Sequence, residues 1–239
     1  MAADRGRIDS LRWVAQGTGT FINALAALPD DRLDRSTALP GWTGKHLLAH
    51  ITANADALVN LAHWARTGEE TPMYASAQQR NADIEAGATR SAAELRAWAK
   101  RSAETLDARL SELDEPQWTA RVRTAQGRTV PAEEIPWMRA REVMVHAVDL
   151  GAGVGFADLP ADFLAALLDD ITAKRSAAGG AALTLTATDH DATWAIAGTG
   201  DPTAVTGALA DLAAYLSGRA TDGVTGPNGK PAPDLPRWL

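Results

Sequence analysis

The chain contains no cysteine. It therefore has no disulfide staples, no thiolate metal ligands and no cysteine nucleophile, and any thiol chemistry needs a thiol from outside. It also lacks an apolar run approaching the ~18 residues of a membrane-spanning helix, so no membrane partner is expected. The opening MAADRGRIDSLRWVAQ has neither an apolar core nor a small-residue cleavage site, and the expected location is the cytoplasm. No Lys/Arg-rich run interrupts a net charge of −7, which argues against nucleic acid. An anionic small molecule would need local arginines to overcome that field. Lysine is scarce, confined to Lys45, Lys100, Lys174 and Lys230. No internal repeat is present, and a monomer is expected.

What is present reads first as helix. Ile8, Leu11, Trp13, Val14, Phe21, Ile22, Leu25 and Leu28 recur near helical spacing over 7–28. The LPGW turn precedes Thr43, a natural N-cap for a second helix reaching Arg66, which Gly68 closes. A third helix is expected over 77–113, interrupted near Gly87, and a fourth over 132–150. Between them QWTARVRTAQGRTVPAEE reads as a connector with a short extended piece and a Gly-Arg turn. Four long helices suggest a bundle, whose metal sites are built from inward-facing side chains on different helices. GAGVGF at 151–156 is the expected boundary, giving domains over 1–151 and 152–239. Beyond it, 160–178 reads as helix. ALTLTAT and TWAIAG alternate in period two around DHDA and read as a hairpin. Residues 203–217 are expected to be a further helix, followed by a Pro/Gly-rich tail from Thr225. The fold class is therefore α+β.

The chain has five histidines, and three stand at helical ligand spacing. His46 and His50 are four apart in GWTGKHLLAHITANA. Glu142 and His146 are four apart in WMRAREVMVHAVDLG. Four residues are about one turn, so each pair projects from one helix face. His50, Glu142 and His146 would give zinc a His₂Glu set with the fourth position open, as catalytic zinc sites require. One carboxylate neutralises one of the two metal charges, which favours an anionic fourth ligand such as hydroxide or thiolate. Nickel or iron would accept the same donors.

The plainer alternative makes His146 a core histidine and pairs Glu142 with Arg139 at the surface. His46 could be a fourth ligand, a supporting group or a solvent-facing residue. His63 reads as packing or cap, and His190, in the hairpin turn, has no assigned role. Arg219, after Gly218 at a helix end, is either a cap or a carboxylate clamp. Arg80 and Arg128 carry no independent signal. Trp42, Trp64 and Trp137 are ordinary core residues, although Trp137 could wall a pocket and contact a cofactor.

The run GWTGKHLLAHITANADALVNLAHWARTGEETPMY, with TAQGRTVPA, WMRAREVMVHAVDLG, SGRATDGV and the closing PRWL, closely resembles the mycothiol-dependent maleylpyruvate isomerases of the DinB-like metal-binding superfamily. That resemblance implies a DinB-like N-terminal four-helix bundle and a small C-terminal α/β domain. It implies zinc at His50, Glu142 and His146, an essential arginine matched by Arg219, and an anion-binding arginine matched by Arg80. It implies mycothiol as the borrowed thiol and maleylpyruvate, a dicarboxylate, as substrate. Thiolate addition to the cis alkene, rotation and elimination would give fumarylpyruvate. Two other readings stay open from the residues: a mycothiol S-transferase acting on another electrophile, and a non-catalytic zinc-binding bundle.

Overall fold

Apolar residues at helical spacing define the first two long helices, and the second has clear caps at both ends. The structure, a computed structural model, describes residues 5–236 and 238. Met1–Asp4 of the opening segment, and Arg237 and Leu239 of the closing PRWL, lie outside the described residues. Helix α1 spans Arg7–Ala27 and α2 spans Gly44–Thr67. Thr43 caps α2, and Gly68 ends it in the left-handed conformation at φ 78°. The interruption expected near Gly87 is present and divides the third helix into α3 (Ala77–Ala88) and α4 (Ala92–Ser111). The break falls at Ser91, whose hydroxyl and backbone N–H form a reciprocal capping box with Glu94. A Cβ at Gly87 would stand 2.7 Å from Ala49 Cβ, so its bareness lets α3 lie against α2.

The connector contains more than an extended piece. A short helix α5 (Glu115–Thr119) leads into an antiparallel pair, β1 (Arg121–Arg123) and β2 (Thr129–Pro131). Helix α6 (Glu134–Asp149) follows. In the bundle, α1 packs along α6, α2 along α4, and α2 also meets α6. Leu47, Leu48, Ile51, Leu95, Val143 and Ala147 form one buried cluster, and Leu58, Leu61, Leu106, Leu110, Val122 and Ile135 form a second. Each such leucine, isoleucine or valine contributes about 1.5–3 kcal/mol by leaving water. This bundle unit runs from Gly6 to Val154, so its end lies three residues past the expected boundary at 151.

The C-terminal unit takes in the chain from Gly155 onward, together with Arg5. Helix α7 (Ala161–Ala178) precedes a hairpin of β3 (Ala181–Ala187) and β4 (Thr193–Ile196). The expected helix over 203–217 is only half right. Thr199–Gly207 is a strand, β5, and the helix α8 covers Leu209–Leu216 alone. The period over 203–207 is two, not 3.6: Val205 is buried against Leu185 on β3 while Ala204 and Thr206 point outward. The threonines also favour a strand. With β6 (Val224–Thr225) the sheet order is β4-β3-β5-β6, with β3 and β5 parallel. The tail is tied down: Tyr215 donates to Pro233 O at 2.6 Å and Arg175 to Pro236 O at 3.0 Å. Among the described residues, no helix is long and apolar enough to cross a membrane.

The α1–α6 seam depends on Gly17. A Cβ there would stand 2.7 Å from Val143 Cγ2 and 2.9 Å from Met144 Cγ, the two residues that follow Glu142. Gly17→Val should destabilise the bundle by about 1–3 kcal/mol, the usual cost of overpacking, read as a lower thermal unfolding midpoint. An unchanged midpoint would show that the seam relaxes freely.

Candidate metal centre

His50 projects from α2 and is 5 % exposed. Glu142 and His146 project from one face of α6. Glu142 Oε2 lies 2.9 Å from His50 Nε2 and 3.4 Å from His146 Nε2. One donor atom from each residue falls within 4.8 Å of the other two. In a tetrahedral zinc site, bonds of about 2.0–2.1 Å place neighbouring donors roughly 3.3 Å apart, so this triad is close to ligating geometry. The two imidazoles meet edge to face at 5.1 Å, and Trp42 lies 5.2 Å from the His50 ring.

The outer nitrogens of the two histidines meet different partners. His146 Nδ1 lies 2.7 Å from Asp149 Oδ2. A carboxylate only accepts, so His146 donates Nδ1–H and turns its Nε2 toward Glu142. Two electron-rich atoms then face each other at 3.4 Å, an arrangement that needs a proton or a cation between them. The donor set therefore fits a divalent metal. His50 Nδ1 lies 3.2 Å from Arg80 Nη2. Guanidinium only donates, so here Nδ1 accepts and Nε2–H points to Glu142. A metal at Nε2 would place the proton on Nδ1, and the Arg80 contact would have to open.

The electrostatics follow from burial and pairing. Burial alone would raise the Glu142 carboxyl, but the neighbouring His50 and hydrogen bonds from His146 and His50 hold it well below the usual carboxylate range. Burial pushes the His50 imidazole down, only partly offset by Glu142. Burial also opposes the charged form of His146, yet hydrogen bonds to Asp149 and Glu142 raise it above the ordinary histidine value. Arg139 does not form a surface pair with Glu142, as the plainer alternative required. It is 2 % exposed and donates to Ile51 O at 2.7 Å and Asn54 Oδ1 at 3.0 Å. Burial lowers it to about 10, against a favourable field from Glu142. It thus joins α6 to α2 one residue from His50.

The other candidates fall in different places. His46 is a helix cap: its Nδ1 accepts from Thr43 N–H at 3.3 Å and lies 2.7 Å from Thr43 Oγ1. Its Nε2 faces Glu85 at 3.4 Å. Both nitrogens are engaged away from the triad, so it is not placed as a fourth ligand. His63 sits near Glu69, and His190 beside Asp189. Trp137 is 2 % exposed and stacks edge to face on Trp13 at 5.7 Å, which gives it a core position and offers a ligand no surface. Arg80 joins His50, with its guanidinium 5.9 Å from the Tyr74 ring. Arg219 belongs to the C-terminal unit, where Nη1 donates to Ser217 O at 2.7 Å.

Two residues of the site were not singled out from sequence. Asp149 is signalled by H-x-x-D, which puts it one turn beyond His146 on the same helix face. Tyr74 has no local signal; only the folding of the 68–76 loop brings it beside Arg80.

Metal binding should weaken on acidification. His146 binds its proton at a higher pH than an ordinary histidine, so protons compete with the metal from above pH ~6.5 downward. Zinc affinity measured against a chromophoric chelator should fall steadily below that point; a flat profile to pH 5 would contradict the ligand set. Glu142→Gln should lower the affinity by more than about 100-fold, beyond what loss of a supporting partner costs.

Residues 14–151 match the family described as the mycothiol maleylpyruvate isomerase N-terminal domain, and residues 158–235 match the MDMPI C-terminal domain. No curated protein sequence matches significantly. Among solved structures, a crystal structure of the mycothiol-dependent maleylpyruvate isomerase is similar with 42% identity and a TM-score of 0.94, covering 98% of both chains. A histidine-to-alanine variant of that enzyme is similar at 41% identity with the same TM-score and coverage. Two family matches that together span most of the chain, and an identity above 40% over its near-entire length, establish that this chain belongs to the mycothiol-dependent maleylpyruvate isomerase family.

Proposed function

We propose that this protein isomerises maleylpyruvate to fumarylpyruvate with mycothiol as the thiol, in the cytoplasm. The observation that carries the reading is the convergence of His50, Glu142 and His146 in a chain that matches this family throughout. His50, Glu142 and His146 would hold a zinc ion. When bound, the metal supplies a Lewis acid that keeps a thiol ionised near neutral pH, and the thiol supplies a reversible nucleophile for an electron-poor alkene.

The chain's own residues do the rest. Glu142 contributes one negative charge, so the site stays net cationic and favours an anionic fourth ligand. Asp149 keeps His146 Nε2 aimed at the donor cluster. Arg80 is the cation nearest the triad by its contact with His50. Opening that contact on metal loading would free its fork for a carboxylate. Arg219 is proposed, on the family resemblance alone, as a catalytic residue that binds a substrate carboxylate and steadies the enolate charge that develops during isomerisation. A chain of net charge −7 needs both arginines to accept a dianion.

The test is a spectrophotometric assay of the purified protein with maleylpyruvate, with and without mycothiol, before and after chelation. Conversion should require both the thiol and the metal. Conversion without thiol would refute the mechanism; conjugation without release of the thiol would move the function to transfer chemistry. Arg219→Ala should lower turnover by about 100-fold or more while zinc content is retained, the scale expected for loss of a charge-stabilising donor. Unchanged turnover would remove Arg219 from the catalytic assignment.

A further inference from the structure

Asp149 is the last residue of α6 and is 4 % exposed. That is an unfavourable place for a carboxylate. The C-terminal end of a helix carries partial negative charge, so an anion there is opposed by the helix dipole as well as by desolvation. An apolar or amide side chain would suit the position better on packing grounds alone. The carboxylate instead sits 2.7 Å from His146 Nδ1, on the side of the ring opposite the Nε2 that faces Glu142. His50 has no such support, since its Nδ1 meets the cationic Arg80.

We infer that Asp149 is a positioning residue for the metal centre: it fixes His146 in the Nδ1–H tautomer and makes Nε2 the stronger of the two imidazole donors. Its carboxylate lies outside the converging donor set of His50, Glu142 and His146. Its effect passes through the ring, by orienting it and by raising the electron density at the ligating nitrogen. The unequal support makes His146 the anchoring ligand and His50 the one that adjusts.

This inference rests on the triad's being a metal site, and the experiment separates the two. Zinc affinity is measured by chelator competition for the wild type, Asp149→Asn and Asp149→Ala, each as the full chain. Cobalt-substituted samples are compared by their visible ligand-field spectra. Asp149→Asn keeps the shape and can still accept the Nδ1–H bond, so it guards against simple misfolding; far-UV circular dichroism and thermal unfolding of the zinc-saturated proteins check this. Asp149→Asn should bind zinc roughly 10-fold more weakly and Asp149→Ala about 100-fold more weakly, with a shifted cobalt band in both. Wild-type affinity and an unshifted band in Asp149→Asn, together with a normal Asp149→Ala, would overturn the assignment while leaving the metal site intact. A wild type that binds neither zinc nor cobalt would overturn both.

Discussion

The contact on which the site depends is Glu142 between two imidazoles. One carboxylate oxygen lies within 2.9 Å of His50 and 3.4 Å of His146, on helices far apart in the chain. Withdrawing an anion from water, even partly, is costly unless it is paired, and this half-buried one is paired twice. Its position makes demands on the whole bundle. Helix α6 must lie in one register against α2, and Arg139 enforces it by donating to Ile51 O and Asn54 Oδ1. Helix α6 must also lie close to α1, which the bare Gly17 permits beside Val143 and Met144. The packing that makes the core stable is thus the packing that assembles the donors.

Charge is graded outward from that carboxylate. Asp149 is a buried anion and Arg139 a buried cation, while Glu142 and Arg80 are half-buried. The two negative groups meet the histidines, while Arg80 meets the far nitrogen of His50. A metal would change this balance most at His50, because the proton on its ring must move and the Arg80 contact must open. In the proposed mechanism, metal loading and the capture of a carboxylate would be linked through this one imidazole.

Much of this was legible in the sequence for definite reasons. The helices of the bundle show strong 3.6-residue periodicity with recognisable caps at Thr43 and Gly68. The triad is legible because Glu142 and His146 share a helix face at four-residue spacing, and His50 stands on another inward-facing helix. What was missed is also physical. One expectation gives way, the helix over 203–217, because the short threonine-rich segment that precedes α8 has a period of two and pairs as a strand. The sequence leaves His46 open as a fourth ligand, a supporting group or a solvent-facing residue; its capping contacts with Thr43 decide against the first. Trp137 looked like a pocket wall, but the ring turns to Trp13. Tyr74 joins the site through a loop, which leaves no periodic trace.

The most direct measurement is X-ray absorption at the metal edge of the zinc-loaded protein, recorded before and after adding mycothiol. The account predicts only nitrogen and oxygen neighbours in the first state, since the chain has no cysteine. With thiol it predicts one added sulfur neighbour at about 2.3 Å, with both imidazoles retained. A first shell unchanged by the thiol would contradict the central claim that this triad exists to present an external sulfur to an electrophile.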